Sequence, residues 1–188
     1  LVNQRNQITN NLKSYFNQLG IILPFKSLAT IKAYKWLQNN EDICIQQFGK
    51  ILQTLNETIK TLDKEIEKLI PEQAKKLTKI TGISTLTAGT IYTEIKGKKM
   101  TKSQFASYCG VAPVDCSSGM MNKQRNNHRG NRILNSILYS VAIHQVRFDK
   151  IGNEYYTKKI QEGKSKKVAR KHLQRQLSNL VWKTLFAA

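Results

Sequence analysis

The chain has 188 residues, 40% of them hydrophobic, and its 31 Lys and Arg against 12 Asp and Glu give a formal net charge of +19. A chain of this length and apolar content can bury a core, so an intrinsically disordered protein is excluded, and no apolar run approaches the roughly 18 residues of a membrane span. Because Cys44, Cys109 and Cys116 form no CxxC pair, the sequence argues against a disulfide framework or zinc finger and favours reduced, buried thiols in a cytoplasmic protein.

The positive charge is concentrated in the second part of the chain. Residues 1–72 contain 9 basic and 7 acidic side chains, whereas residues 73–188 contain 22 basic and 5 acidic ones. Such an excess attracts nucleic acid, because each phosphate that is neutralised releases counterions. The sequence therefore predicts that residues 73–188 bind nucleic acid; a merely soluble basic surface is the alternative.

The first 71 residues are predicted to form a helical arm. One helix is expected from Val2 to Gly20 and a shorter one from 28 to 38, and Pro71 ends a third. Apolar residues of this third segment alternate steps of four and three, which is an a/d heptad pattern over residues 48–69. Packing on the chain's own core is one interpretation, and a hairpin or intermolecular coiled coil that joins copies into a homo-oligomer is the other. The heptad positions are Phe48, Leu52, Leu55, Ile59, Leu62, Ile66 and Leu69.

Residues 72–188 are predicted to form a compact helical domain. Residues 76–95 have the layout of a helix-hairpin-helix motif, in which a tight turn directs backbone N–H groups at a phosphate. We expect Lys79, Gly82 and Ser84 to contact nucleic acid there, with a purely structural helix pair as the alternative. Further helices are expected at 102–109, capped by Thr101, at 129–148, around 155–160 and at 164–186. No segment has the alternation of a strand, so the predicted fold class is mainly α.

A serine pair followed by glycine, Ser117, Ser118 and Gly119, opens into a basic segment. A hydroxyl nucleophile that attacks a phosphodiester needs close backbone approach, which a glycine allows, and nearby cations. Asp115 is interpreted as a turn residue, or as a group that orients the serine or holds a metal. The segment's candidate cations are Lys123, Arg125, Arg129 and Arg132.

The last predicted helix begins with a second group of cations. Lys166, Lys167, Arg170 and Lys171 are candidates to clamp DNA or RNA, and a solvated basic face is the alternative. The three histidines, His128, His144 and His172, lack metal-ligand spacing, so we predict no metal site and no cofactor bound by this chain.

Five segments occur in the order found in one known family. The chain reads ITGISTLTAGTIYTEI, QFASYCGVAP, SSG at 117–119, HRGNRILNSILYSVA and YYTKKIQEGKSKKVAR, and in this it resembles the C-terminal half of insertion-sequence one-ten family transposases. The opening LVNQRNQITNNLKSYFNQLGIILP resembles the arm that leads into that family's coiled coil.

The resemblance implies a DNA recombinase whose serine nucleophile forms a DNA–phosphoserine intermediate. It assigns that role to Ser118, with Ser117 as the alternate. It also implies that Mg²⁺ is held by acidic residues of an N-terminal nuclease-like domain outside this sequence, without which we expect the chain to be inactive. DNA and a structured guide RNA are the implied partners, in the bacterial nucleoid. The alternative is a non-catalytic nucleic-acid-binding and dimerisation module left from a truncated element.

Overall fold

The fold is mainly α, as the sequence predicted. A computed structural model of the chain describes residues 1–118, 121–127 and 129–186. It is 74% helical, and the described residues form nine α-helices, one 3₁₀ helix and one two-stranded hairpin. None of the helices in this described part has the length and apolarity to cross a membrane. The chain divides into two compact units, Leu1–Lys68 and Leu69–Ala188.

The first unit is built from α1 (Val2–Gln18), α2 (Ile31–Gln38) and most of α3 (Ile43–Leu69). Gly20 follows α1 with a φ of +68°, a left-handed conformation that ends the helix as predicted. Thr30 caps α2, its hydroxyl accepting from the Ala33 N–H at 3.2 Å. The buried core of the unit consists of Leu12, Phe16, Leu28, Ala33, Tyr34, Leu37, Ile45 and Leu52.

The heptad positions of α3 fall into a buried and an exposed half. Leu52 and Ile59 are 1% and 9% exposed, so the interpretation as a helix packed on its own core holds for this half. Leu62 and Ile66 are each 45% exposed and Leu69 is 82% exposed. The intermolecular coiled coil therefore stays a prediction, and its candidate surface is this exposed half.

The second unit has its core between the helices that follow residue 72. Helix α7 (Arg132–Phe148) packs against α8 (Lys150–Gln161) and α9 (Lys166–Phe186), and α6 (Lys102–Tyr108) packs against α9. The core side chains include Leu134, Leu138 and Val141 of α7 and Leu173, Leu177 and Val181 of α9. The elements are α4 (Glu72–Lys75), the 3₁₀ helix (Lys76–Lys79), α5 (Thr85–Ile95), α6 (Lys102–Tyr108), β1 (Pro113–Ser118), β2 (Met121–Asn126), α7 (Arg132–Phe148), α8 (Lys150–Gln161) and α9 (Lys166–Phe186).

The expectation that the chain lacks strands was wrong for residues 113–126. β1 and β2 pair antiparallel, from Pro113 opposite Asn126 to Ser118 opposite Met121. The sequences PVDCSS and MNKQRN carry almost no apolar alternation, so the pairing rests on backbone hydrogen bonds and left no periodic signal. Asp115 lies within β1, and its interpretation as a turn residue was therefore wrong.

The cysteines only partly follow the expectation of buried thiols. Cys109 is fully buried, and burial raises the pKa of its thiol to about 12, which makes it a poor nucleophile at neutral pH. Cys44 is exposed, so the expectation was wrong there, because this residue lies in the first turn of α3 on the side away from the core. The side chain of Cys116 lies outside the described residues.

Candidate functional site

The hairpin of β1 and β2 gathers four of the candidate residues in one ribbon. Ser117 pairs with Asn122, and Ser118 pairs with Met121 at the far end of the hairpin. Lys123 and Arg125 lie on β2, opposite Cys116 and Val114. The structure describes these residues through their backbone pairing, and Gly119 lies outside the described residues. Their catalytic and phosphate-binding roles stay predictions.

We call the hairpin of β1 and β2 the serine hairpin, and side-chain amides and one backbone N–H anchor its base. All of them donate to carbonyl oxygens at the end of α6. These bonds join the segment that follows β2 to the segment that precedes β1. Because amide donors pair with helix-end carbonyls that would otherwise lack a partner, none of these bonds involves an ionic group. The bonds run from Asn127 Nδ2 to Ser107 O at 2.9 Å, from Asn131 N to Tyr108 O at 2.7 Å, and from Asn135 Nδ2 to Cys109 O at 2.9 Å and Gly110 O at 3.1 Å.

Two glycines let the backbone segments at the hairpin base touch. A Cβ placed on Gly130 would lie 2.4 Å from both the Cα and the N of Gly110, and 3.0 Å from the Tyr108 carbonyl oxygen. Gly110 itself has a φ of +69°, which a side chain would disfavour. The CGVAP and HRGN segments of the sequence therefore meet here.

A carboxylate that the sequence reasoning missed sits behind the start of α7. Glu94 of α5 accepts a 2.6 Å hydrogen bond from Asn131 Nδ2, and the same nitrogen lies 3.3 Å from the Tyr108 hydroxyl. Asn131 also caps α7, its Oδ1 accepting from the Leu134 N–H at 3.0 Å. Because Asn131 takes the cap position, α7 begins three residues later than predicted. The available signal was Glu94 as an isolated acid within a basic region.

Arg129 and Arg132 lie directly after the hairpin. Both are exposed, and the Arg129 N–H donates to Asn127 Oδ1 at 2.9 Å, which fixes the turn that leads into α7. Within the described residues, neither guanidinium forms an ion pair. The structure thus brings both arginines to the hairpin base, on the side where α7 starts.

The second group of cations lies on the first two turns of α9. Arg170 contacts α7, where its Nη1 donates to the Tyr139 hydroxyl at 3.2 Å. Burial lowers the pKa of Lys171, and the like charge of Lys167 lowers it further. Lys166 and Lys167 are exposed, and in the described part of the chain no carboxylate pairs with any of the four. Unpaired cations this close together favour a polyanionic partner.

The turn that the sequence predicts to bind phosphate, within residues 76–95, contacts α7 near the end that is farther from the serine hairpin. Gly82 has a φ of +95°, and a Cβ on it would lie 3.3 Å from His144 Nδ1. His144 is 13 positions after Asn131, which corresponds to roughly 20 Å along the helix. The Ser84 hydroxyl accepts from the Thr87 N–H at 3.2 Å and caps α5, while Lys79 ends the 3₁₀ helix and is exposed. Nucleic-acid contact by this turn stays a prediction, as does the helix-hairpin-helix assignment.

Metal-ligating side chains are dispersed over the part of the chain that the structure describes. It contains no group of three or more His, Cys, Asp or Glu placed to hold a metal ion. His128 lies outside the described residues. We therefore assign no metal ligand among the residues that the structure describes.

The comparison with known proteins matches one family model. Residues 74–157 match the model described as Transposase IS116/IS110/IS902 family. The matched range runs from α4 into α8 and so includes the turn at Gly82, the serine hairpin and α7. No curated protein matches the chain.

Proposed function

Because residues 74–157 match the model of the Transposase IS116/IS110/IS902 family, we propose that the chain acts in DNA transposition by binding DNA and supplying a serine nucleophile. The match over residues 74–157 is the observation that carries this proposal. It covers the serine hairpin and the four proposed phosphate ligands of this segment, Lys123, Arg125, Arg129 and Arg132.

The proposed reaction is a phosphoryl exchange at Ser118. The serine oxygen bonds to the phosphorus of a DNA phosphodiester while the bond to the leaving strand's sugar oxygen breaks, and that oxygen takes a proton. Attack by a hydroxyl of a second strand reverses these changes and frees the serine, so no net hydrolysis occurs. Ser117 is the alternate nucleophile.

The anchored base of the hairpin supports this role. A nucleophile contributes most when it is held in a fixed geometry before reaction. The hydrogen bonds of Asn127, Asn131 and Asn135 and the contact of Gly110 with Gly130 fix both ends of the ribbon that carries the serines. The scissile phosphate and its neighbours along the same strand would then meet Lys123, Arg125, Arg129 and Arg132, whose charges offset the negative charge of the backbone.

Activation of the serine requires a base or a metal, because an unperturbed hydroxyl is a weak nucleophile. The described residues do not fit a metal site, so no step is assigned to a metal in this chain. We propose that Mg²⁺ belongs to an acidic nuclease-like domain that acts together with this chain. We further propose a guide RNA as second partner, held by the cations of α9, and a homo-oligomer through the exposed half of α3.

A covalent-adduct assay tests the serine assignment. The chain is combined with a magnesium-binding domain and guide RNA of the same family and with end-labelled nicked DNA, and SDS-resistant adducts are resolved on a gel. We expect Ser118→Ala to abolish the adduct and to leave DNA affinity within about twofold, because a small neutral group is removed. Ser117→Ala is the matched control and retains the adduct.

The alternative outcomes separate the remaining functions. Loss of the adduct in Ser117→Ala but not in Ser118→Ala moves the nucleophile to Ser117. Tight, salt-sensitive DNA binding without any adduct supports the non-catalytic binding and dimerisation module instead.

A further inference from the structure

A cavity of about 440 Å³ opens at the base of the serine hairpin. Gly110, Asn127 and Gly130 of the hairpin base form one wall, and Arg132, Ser136 and Tyr139 of α7 form the other. The volume lies within the usual range for small-ligand sites, roughly 300 to 1,000 Å³, and exceeds what a bare inorganic ion needs. The cavity thus has room for a nucleotide-sized group.

The hydrogen-bond pattern of the lining leaves donors free. Both asparagine amides in the wall, Asn127 and Asn135, already donate to the carbonyls of the hairpin base. The Arg132 guanidinium and the Ser136 hydroxyl form no hydrogen bond within the described residues, and both side chains are exposed. The groups available to a ligand are therefore the N–H donors of the Arg132 guanidinium and the Ser136 hydroxyl.

A second guanidinium reaches the same wall from α9. Arg170 lies with its Cζ 5.6 Å from the centroid of the Tyr139 ring, and its Nη1 donates to the Tyr139 hydroxyl. Its Nε donates to the Lys166 carbonyl at 3.3 Å. These contacts leave Nη2 free and hold the charge beside the cavity, because the ring face attracts the cation.

The chemistry of this lining selects an anion with several oxygens. Arg132 lines the cavity and Arg170 contacts the lining residue Tyr139, while no carboxylate is among the described residues that line it. A planar guanidinium binds phosphate oxygens with two parallel hydrogen bonds, which an ammonium cannot do. A nucleotide unit of a nucleic-acid strand carries a phosphate and has a size that suits this cavity.

We propose that this cavity binds one backbone phosphodiester of the nucleic acid, with Arg132 and Arg170 as its ligands and Ser136 as an additional donor. Tyr139 is a positioning residue that holds Arg170. This inference rests on the proposed function and deepens it, because a strand held against Gly110 and Gly130 is fixed relative to the hairpin that carries Ser118. The phosphodiester can belong to DNA or to a guide RNA.

The test measures equilibrium binding of the full chain to a DNA duplex and to an RNA hairpin over a series of salt concentrations. Each phosphate contact contributes about 0.9 to the slope of log affinity against log salt on duplex DNA and about 0.7 on a single strand. We expect the double variant, Arg132→Gln with Arg170→Gln, to reduce the slope by about that amount and not by twice as much, because both arginines hold the same phosphate. Each single variant is expected to weaken binding and to reduce the slope by no more than the double variant does. Arg132→Lys keeps the charge and is expected to retain the slope with weaker affinity.

Arg147→Gln is the matched control, since Arg147 is exposed in the last turn of α7 and does not line the cavity. Any reduction in slope that Arg147→Gln causes is expected to add to the reduction caused by Arg170→Gln, because the two arginines do not share a phosphate. Tyr139→Leu is expected to reproduce the slope of Arg170→Gln, whereas Tyr139→Phe keeps the ring and most of the slope. Circular dichroism and thermal melting verify that each variant is folded.

The outcomes separate the sources of the phosphate and the two proposals. A change on the duplex alone assigns the cavity to DNA, and a change on the RNA alone assigns it to the guide; both support the site. Unchanged slopes on both nucleic acids overturn the cavity proposal, while the adduct formed at Ser118 still supports the transposase function. A chain that binds neither nucleic acid overturns both.

Discussion

Gly130 is required by a close backbone contact, since its own φ is not in the left-handed region. The Cα and N of Gly110 fill the space where a side chain would begin, and those atoms belong to a backbone that is itself held by Asn135. The neighbour therefore cannot give way by rotating a side chain. A glycine in the sequence HRGN thus sets the distance between the two ends of the serine hairpin.

Replacement of this glycine is predicted to destabilise the second unit. We expect Gly130→Ala to lower the free energy of unfolding by about 3 kcal/mol, the upper part of the usual range for overpacking, because the clash is with backbone. Urea denaturation followed by circular dichroism measures this change. Gly163→Ala is the control: Gly163 has a φ of +79° with open space around it, and we expect a cost of about 1 kcal/mol from the conformation alone. Equal costs for the two variants would contradict the steric argument.

At the scale of elements, α3 combines a buried and an exposed apolar stripe on one helix. Its first half supplies core residues such as Ile45 and Leu52, and its second half leaves Leu62 and Ile66 in solvent. A continuous heptad pattern over both halves is typical of a helix that pairs with another along its exposed end. The core of the first unit accounts for the buried part of the pattern, and the coiled coil stays a prediction for the exposed part.

The exposed half gives a direct test of the homo-oligomer. We expect Leu62→Asn combined with Ile66→Asn to shift the chain to a monomer in analytical ultracentrifugation, because polar groups at core positions of a coiled coil disrupt its packing. Ile51→Asn is the matched control, since Ile51 is 46% exposed on the same helix but outside the heptad positions. The control keeps the mass of the wild type. An unchanged mass in the double variant as well would rule out the intermolecular coiled coil.

The helices could largely be predicted from the sequence, and the hairpin could not. Caps and periodicity are local, so α6 begins at Lys102 after Thr101 as predicted, and α1 ends before Gly20. The hairpin is made of residues with little apolar pattern, and its position depends on Asn127 and Asn135 bonding to carbonyls about 20 to 26 residues away. The sequence contains no local signal for such bonds.

The candidate site was predictable in its residue types and not in its arrangement. The basic segment and the serine pair can be read from composition, and the structure gathers them on the hairpin and the start of α7. The contact of Arg170 with Tyr139 joins residues 31 positions apart on different helices, and Glu94 reaches Asn131 across 37 positions. Tertiary packing determines both contacts, so periodicity within one element gives no information on them.

At the scale of the whole molecule, charge and core are divided between the two units. Residues 69–188 contain 22 of the 31 Lys and Arg, together with their own buried core. The first unit has a separate core and a nearly balanced charge. A unit with its own core can in principle fold alone, so we expect the proposed nucleic-acid binding and the proposed assembly to be separable.

Separate expression of the two units tests this division. We expect residues 69–188 to fold and to bind DNA with the salt slope of the full chain, since they retain the proposed phosphate ligands. Residues 1–68 are expected to fold without measurable DNA binding. Filter binding over a salt series measures both. A fragment 69–188 that is folded but binds with a markedly smaller slope would show that the arm supplies phosphate contacts.

The base of the serine hairpin is held by bonds from amides to carbonyls, and dissolved salt affects these bonds less than it affects phosphate binding. Amide-to-carbonyl bonds at the end of α6 are only weakly affected by dissolved ions, whereas attraction between arginines and phosphates is screened strongly. Salt is therefore expected to release the substrate while the serine stays where it is. A protein exposed to fluctuating ionic conditions would then release nucleic acid reversibly, with the proposed nucleophile still held on its hairpin for the next encounter.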